Sequence, residues 1–286
     1  MKKCWVFFLF FLPIAVNASD NGIIQLKDGD FLKDAVLSGS SGIVIEGDAN
    51  VTIKNCIINT NKKIAVEALP GSGTVTISDS QITSQAGKGL YIQPGRTVNI
   101  YNSNISHCQE EGLDVRNAIS GFITNNKFEN NGESGIELIV GKTNLEINKN
   151  VFSGNGASGL ALQFYTFTRD EGKIKLFQNG FEKNQKYGID CSIPEGKQPP
   201  DYYWYESIKL TDNKFSQNVL GNIEKDCNYP GPVDEKDREI AKKTATEFEN
   251  ANIGLQAKES SSWEIIKKIW EFLTRNFDKT LQNLLL

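Results

Sequence analysis

One phrase of the sequence, ITNNKFENNGESGIEL from Ile123 to Leu138, returns 24 residues later as INKNVFSGNGASGLAL from Ile147 to Leu162, with eight of sixteen positions unchanged. A period of this size limits the fold more than any other property. Each copy is too short to bury its own apolar side chains and must stack on its neighbours. The phrase generalises to I-x-x-N-x-F-x-x-N, a short gap, and G-I-x-L. Its anchor recurs at Ile53, Ile77, Ile100, Ile123, Ile147, Leu176 and Leu210. Three residues on stand Cys56, Ser80, Ser103, Asn126, Asn150, Asn179 and Asn213. Five residues on stand Ile58, Ile82, Ile105, Phe128, Phe152, Phe181 and Phe215, and eight on stand Asn61, Gln85, Cys108, Asn131, Asn155, Asn184 and Asn218.

Within each copy, pieces such as GIEL and LEI alternate apolar and polar residues, the period of a strand that is buried on one face. No stretch from Gly22 to Cys227 keeps a helical period. Copies of about 24 residues, broken by Gly and Asn corners, therefore suit a coiled parallel sheet in which each strand pairs with its counterpart ~4.8 Å away. Identical residues then form columns, with Ile and Phe inside. On these phrases, residues 21–228 resemble the right-handed parallel β-helix family, the pectate-lyase-like superfamily. The resemblance implies an all-β solenoid of about seven to eight coils, and it does not single out a function. LEINKNVF (Leu145 to Phe152) also fits the core of a leucine-rich repeat, but NGASGLAL supplies a Gly turn and a strand where that fold carries a helical segment.

The start of the chain carries a different signal. Lys2 and Lys3, the apolar run Trp5 to Leu12 and the small residues before Ala18 read as a secretory signal over residues 1–18, too short to span a bilayer comfortably. A secreted, periplasmic or cell-surface location follows. Removing Lys2 and Lys3 from 31 basic residues, against 35 acidic ones, leaves the mature chain near −6, which argues against nucleic acid as a partner. Export makes a disulfide feasible, and Cys191 with Cys227 is the candidate pair. Cys56 and Cys108 read as small buried residues within the repeat, and His107, the one histidine, as a corner residue.

Function in a solenoid sits where the copies differ. The segments joining the strands are short in early copies, as in GDAN, PGRT and NAIS. They swell later to QFYTFTRDEG (Gln163 to Gly172) and SIPEGKQPPDYYWYES (Ser192 to Ser207). Stacking puts both insertions on one flank, with Tyr165, Phe167, Tyr202, Tyr203, Trp204 and Tyr205. Aromatic faces beside polar groups such as Gln163 and Asp190 suit sugar rings, which are apolar on their faces and hydroxylated at their rims. Covering the flank of the solenoid is the alternative use of those rings.

The outward residues of the G-I-x-L strands form two columns. The first reads Val44, Ala65, Tyr91, Asp114, Glu137, Ala161, Asp190; the second reads Glu46, Glu67, Gln93, Arg116, Ile139, Gln163, Ser192. Asp114 and Glu137 thereby come within one strand spacing, beside Arg116. Two carboxylates so close raise one another's proton affinity, as acid–base work or a divalent cation would use. Acidic pairs, Ca²⁺ and a basic residue recur in sugar-processing enzymes of the resembled superfamily, so catalytic roles for Asp114, Glu137 and Arg116 follow if the chain is an enzyme. GLDVRN (Gly112 to Asn117) resembles the strand motif of alginate epimerases, but Arg116 and Asn117 stand where a histidine and an aspartate belong. A solvated Arg–carboxylate pair is the plainer reading. The residues require no cofactor; Ca²⁺ is compatible with the pair.

Residues 229–259 form a charged, partly helical linker opened by Pro230 and Pro232. Residues 260–286 begin with a capping box, Ser261 and Glu264, and space Trp263, Ile266, Trp270, Leu273, Phe277 and Leu284 for an amphipathic helix. That helix can meet a membrane surface or protein partner, cap the solenoid, or pair with its own copies. The expectation is thus a secreted or cell-surface β-helix that binds an extended polysaccharide below its aromatic loops. A polysaccharide lyase or epimerase, or an adhesion module without a small ligand, are the alternatives.

Overall fold

The computed structural model describes residues 22–164, 172–192, 208–224 and 227. The chain divides into two units, Met1–Gly231 and Pro232–Leu286. All described residues belong to the first. The expected signal (1–18), the linker (229–259) and the amphipathic helix (260–286) lie outside them. The described residues hold 25 strands in three parallel sheets, one of nine strands and two of eight, with each strand paired to the one three places on. That order is a coil: nine-stranded sheet, second sheet, third sheet, and back. The described strands make eight complete coils and one further strand, in keeping with the seven to eight coils expected.

The columns form because residues one period apart are hydrogen-bonded partners. Ile53, Ile77, Ile100, Ile123, Ile147, Leu176 and Leu210 are in register on the second sheet. On the third sheet, Phe128, Phe152, Phe181 and Phe215 stack ring on ring at 5.2, 4.7 and 5.2 Å, close to the strand spacing. The glycine of G-I-x-L is the counterpart of that stack. A Cβ on Gly159 would lie 2.6 Å from Phe181 Cδ1, and one on Gly188 2.6 Å from Phe215 Cδ1. The glycine column leaves room for the rings, and neither backbone is left-handed.

The corner between the second and third sheets turns on a left-handed residue: Asn55, Asp79, Asn102, Asn125, Lys149, Gln178 and Asp212 all have φ of 50–57°. Asn and Asp tolerate this conformation best, which explains their prevalence. The next residue points inward and builds a ladder. Asn150 donates to Ile123 O (2.8 Å) and Asn179 Oδ1 (3.1 Å), and its own oxygen accepts from the backbone and side-chain N–H groups of Asn126. Both amide protons and both lone pairs are used, so the group can be buried without an orphaned atom. Asn131, Asn155, Asn184 and Asn218 repeat the device at the next corner.

Two column assignments change. Ser84 and Thr60, both fully buried, precede Cys108 in the second ladder's column, not Gln85 and Asn61, which are exposed. From His107 onwards, each coil inserts one left-handed residue there (His107, Asn130, Gly154, Lys183, Gln217), and a constant offset from the anchor misses it. The outward columns change separately, by two residues: Glu67, not Ala65, pairs with Val44 and Tyr91, and Ala65 is buried.

Candidate functional site

The outer face of the nine-stranded sheet presents Val44, Glu67, Tyr91, Asp114, Glu137, Ala161 and Asp190 in register. Asp114 is the exception to its outward address, being fully buried. Lys88 reaches over from the preceding coil to within 2.7 Å of Asp114 Oδ2 and 2.7 Å of Glu111 Oε2. Arg116 Nη2 lies 2.6 Å from the same Asp114 oxygen, and its guanidinium stacks 5.4 Å from the Tyr91 ring centre. Glu137 Oε1 is 3.9 Å from Arg116 Nη1. Asp114 Oδ1 and Arg116 Nε are buried without a hydrogen bond among the described residues.

Burial pushes the Asp114 carboxyl above its ordinary range, with Lys88 and Arg116 opposing. Burial, then the charges of Glu111 and Asp114, raise Glu137 as well. Burial would also raise Glu111, but hydrogen bonds from Lys88 and Glu133 bring it below the usual value. Its hydrogen-bonded neighbour Glu133 is pushed up to about 7, because one proton held between two carboxylates relieves their repulsion. Lys88 would lose affinity for its proton on burial, yet Asp114 and Glu111 raise it well above the lysine norm.

Of the three residues expected to act together, the sheet brings Asp114, Arg116 and Glu137 into one network. Only Arg116 and Glu137 reach solvent, with side chains 27% and 19% exposed. Asp114 can position Arg116 but cannot touch a ligand. Lys88 and Glu111 were not singled out in the sequence; Lys88 lies one column over, where the backbone register alone brings it beside Glu111. Asp190 sits two strands beyond Glu137, across Ala161, and accepts a hydrogen bond from Ser158 Oγ at 3.3 Å. Gln163 pairs with Ser192 at the strand ends from which the two long insertions leave. Tyr165, Phe167, Tyr202, Tyr203, Trp204 and Tyr205 lie outside the described residues. Cys191 and Cys227 are joined by a disulfide, while Cys56 and Cys108 are buried free thiols. Among the described residues, no cluster of His, Cys, Asp and Glu has the arrangement of a metal site.

The sequence profile of the right-handed β-helix region matches residues 41–193, more than half of the chain. The chain belongs to the right-handed β-helix family. Among solved structures, this β-helix chain is similar to the A-module of an Azotobacter vinelandii mannuronan C-5 epimerase, at 14% identity and a TM-score of 0.33, over 74% of this chain and 90% of that one. At that level, the likeness bears on neither substrate nor residues. No curated protein matches the β-helix chain significantly.

Proposed function

We propose that the protein is an exported β-helix whose nine-stranded face binds an extended polysaccharide beneath the insertions at 165–171 and 193–207. The observation that carries this reading is the pairing of Gln163 with Ser192, which starts both aromatic-rich insertions side by side at the edge of the Glu137–Ala161–Asp190 surface. Ala161 leaves a low point between two carboxylates roughly 10 Å apart, two strand spacings, where a sugar ring can approach the sheet. Resemblance to the pectate-lyase-like superfamily supports the substrate class. Attachment to a membrane surface or protein partner through residues 260–286 belongs to the same proposal, and the Cys191–Cys227 disulfide fits an exported chain.

A second reading is a lyase or epimerase, favoured by one feature: Glu137, with its raised proton affinity, stands beside a guanidinium at the surface. In that case Glu137 and Arg116 would meet the sugar, Asp114 would hold Arg116, and Ca²⁺, if used, would draw on the surface carboxylates.

Affinity electrophoresis of the full chain through gels cast with neutral and uronic polysaccharides, followed by an assay for unsaturated ends and epimerised residues, tests both readings. Retardation that is lost in Tyr203→Ala, Trp204→Ala, without product, supports binding. Product formation lost in Glu137→Gln supports the enzyme. Neither retardation nor product would discard both.

A further inference from the structure

A second polar surface lies away from the nine-stranded face, along the corner between the second and third sheets. The left-handed residues Asp79, Asn102, Asn125 and Lys149 point outward there, and so do Gln81, Asn104, Lys127 and Val151 two positions on. Between them, Ser80, Ser103 and Asn126 turn inward to the buried ladder. Out, in, out, repeated over four coils, makes a trough with polar walls and a backbone floor. It encloses about 450 Å³ and runs along the solenoid for three strand spacings, roughly 14 Å. That volume lies within the range of small-ligand sites.

Half of the wall residues are uncharged amides, Gln81, Asn102, Asn104 and Asn125. Asn125 donates to Asn102 (2.8 Å) and Asn102 to Asp79 (3.3 Å), a chain that aligns the exposed amides in one direction. Asp79 closes one end and lies 3.9 Å from Lys54. The other end holds Lys127 and Lys149, both exposed, neither within ion-pair distance of a carboxylate among the described residues. Asn104 Oδ1 is buried beside the trough with no donor among the described residues, an acceptor that the protein leaves unmet.

We propose that this trough is a second binding site, for a short stretch of carboxylated oligosaccharide. Hydroxyl groups of successive sugars exchange hydrogen bonds with the amide walls, one coil per sugar. A uronate carboxylate lies between the Lys127 and Lys149 ammonium groups, where charge-assisted hydrogen bonds are strongest. A neutral sugar lacks the group that these lysines would hold. The site is separate from the proposed face and does not depend on it. A chain bound at both would lie along two sides of the solenoid.

The test is titration of the isotope-labelled full chain with trimers of galacturonate, mannuronate and guluronate, read by backbone amide shifts, with maltotriose as the neutral control. At least one uronate trimer moves residues 79–81, 102–104, 125–127 and 149–151, while maltotriose does not. Lys127→Ala with Lys149→Ala raises Kd for that shift at least tenfold, and Lys127→Arg with Lys149→Arg keeps it within about threefold. Both positions are exposed, so the fold tolerates either pair, and the unliganded spectrum verifies this. Silence of the trough residues with all three trimers, or an unchanged Kd in the alanine pair, overturns the proposal. Shifts confined to the surroundings of Glu137 and Ala161 report the other face and equally overturn a trough site.

Discussion

Lys88 Nζ stands 2.7 Å from Asp114 Oδ2, across one coil of the nine-stranded sheet, and the carboxylate it holds is sealed from water. Removing one partner of a buried pair strands the other charge, which usually costs about 3–5 kcal/mol. Arg116 remains to cover part of that loss. Lys88→Met should therefore lower unfolding free energy by about 3 kcal/mol, and adding Asp114→Asn should recover part of it. Urea unfolding of the singles and the double reads the coupling; strictly additive losses would mean the pair is not a unit.

The Glu111–Glu133 pair sets a pH dependence. Folding raises the proton affinity of Glu133, to about 7, above its ordinary value. Its contribution is therefore complete below the ordinary glutamate range and is lost as pH rises through about 7. Glu111 is shifted the other way, so its contribution is already complete above the ordinary glutamate range and adds no slope in that window. Thermal midpoints measured from pH 5 to 8 should fall as pH rises towards about 7 and level off above it. Glu133→Gln keeps a donor for Glu111 and should flatten the fall, leaving the variant more stable than the parent at pH 8.

Arg96 is fully buried, and its guanidinium donates to the carbonyls of Leu69 (2.8 Å), Ala49 (2.9 Å), Ile45 (3.3 Å) and Glu46. It ties together the corners of two preceding coils. Arg96→Met leaves several buried acceptors without donors and should cost about 3–5 kcal/mol, at about 1–3 for each orphaned group after relaxation. Arg96→Lys should lose less, since an ammonium satisfies some of the carbonyls but cannot span them as a planar fork does. Chemical denaturation ranks the three chains.

Gly159→Ala should destabilise by about 1–3 kcal/mol through overpacking, because its methyl group meets Phe181 and Phe152. The companion change Phe181→Leu relieves the ring contact, though not the approach to the Gly188 carbonyl at 2.8 Å, so the double variant should lose somewhat less than the two singles together. A result equal to their sum would mean that Gly159 and Phe181 do not constrain one another.

The Cys191–Cys227 disulfide closes a loop of 36 residues. A loop of that length stabilises by about 3–4 kcal/mol in the chain-entropy description. Reduction under native conditions should lower the thermal midpoint, and Cys191→Ser with Cys227→Ser should reproduce the fall. The buried thiols of Cys56 and Cys108 should resist alkylation until unfolding; burial pushes Cys108 up to about 11.

Much of the fold was legible because a solenoid turns sequence period into spatial neighbourhood. The Ile, Phe and Asn columns could be written down before any coordinates, since residues one repeat apart must pair. One misreading arose where coils differ in length by one corner residue, as at Ser84; the other, at Glu67, arose where Ile64, Ala65 and Val66 imitate the apolar alternation of the strand two residues early. Register passes through backbone geometry there, and residue type carries too little of it. The candidate site was legible only as an adjacency. That Asp114, Glu137 and Arg116 share a face follows from the repeat; that Asp114 is sealed under Lys88 and Arg116 does not.

The sequence alone determined the period, the three-strand coil and the Ile and Phe columns, because each follows from alternation and spacing along one chain. Tertiary structure decided which side chains lie across the coils: Arg96 folded inward on the carbonyls of earlier corners, the glycines yielding to the Phe rings, and Lys88 closing over Asp114. Long flexible side chains choose their partners by burial and charge after the coils have stacked. Their sequence neighbours say little about where they end.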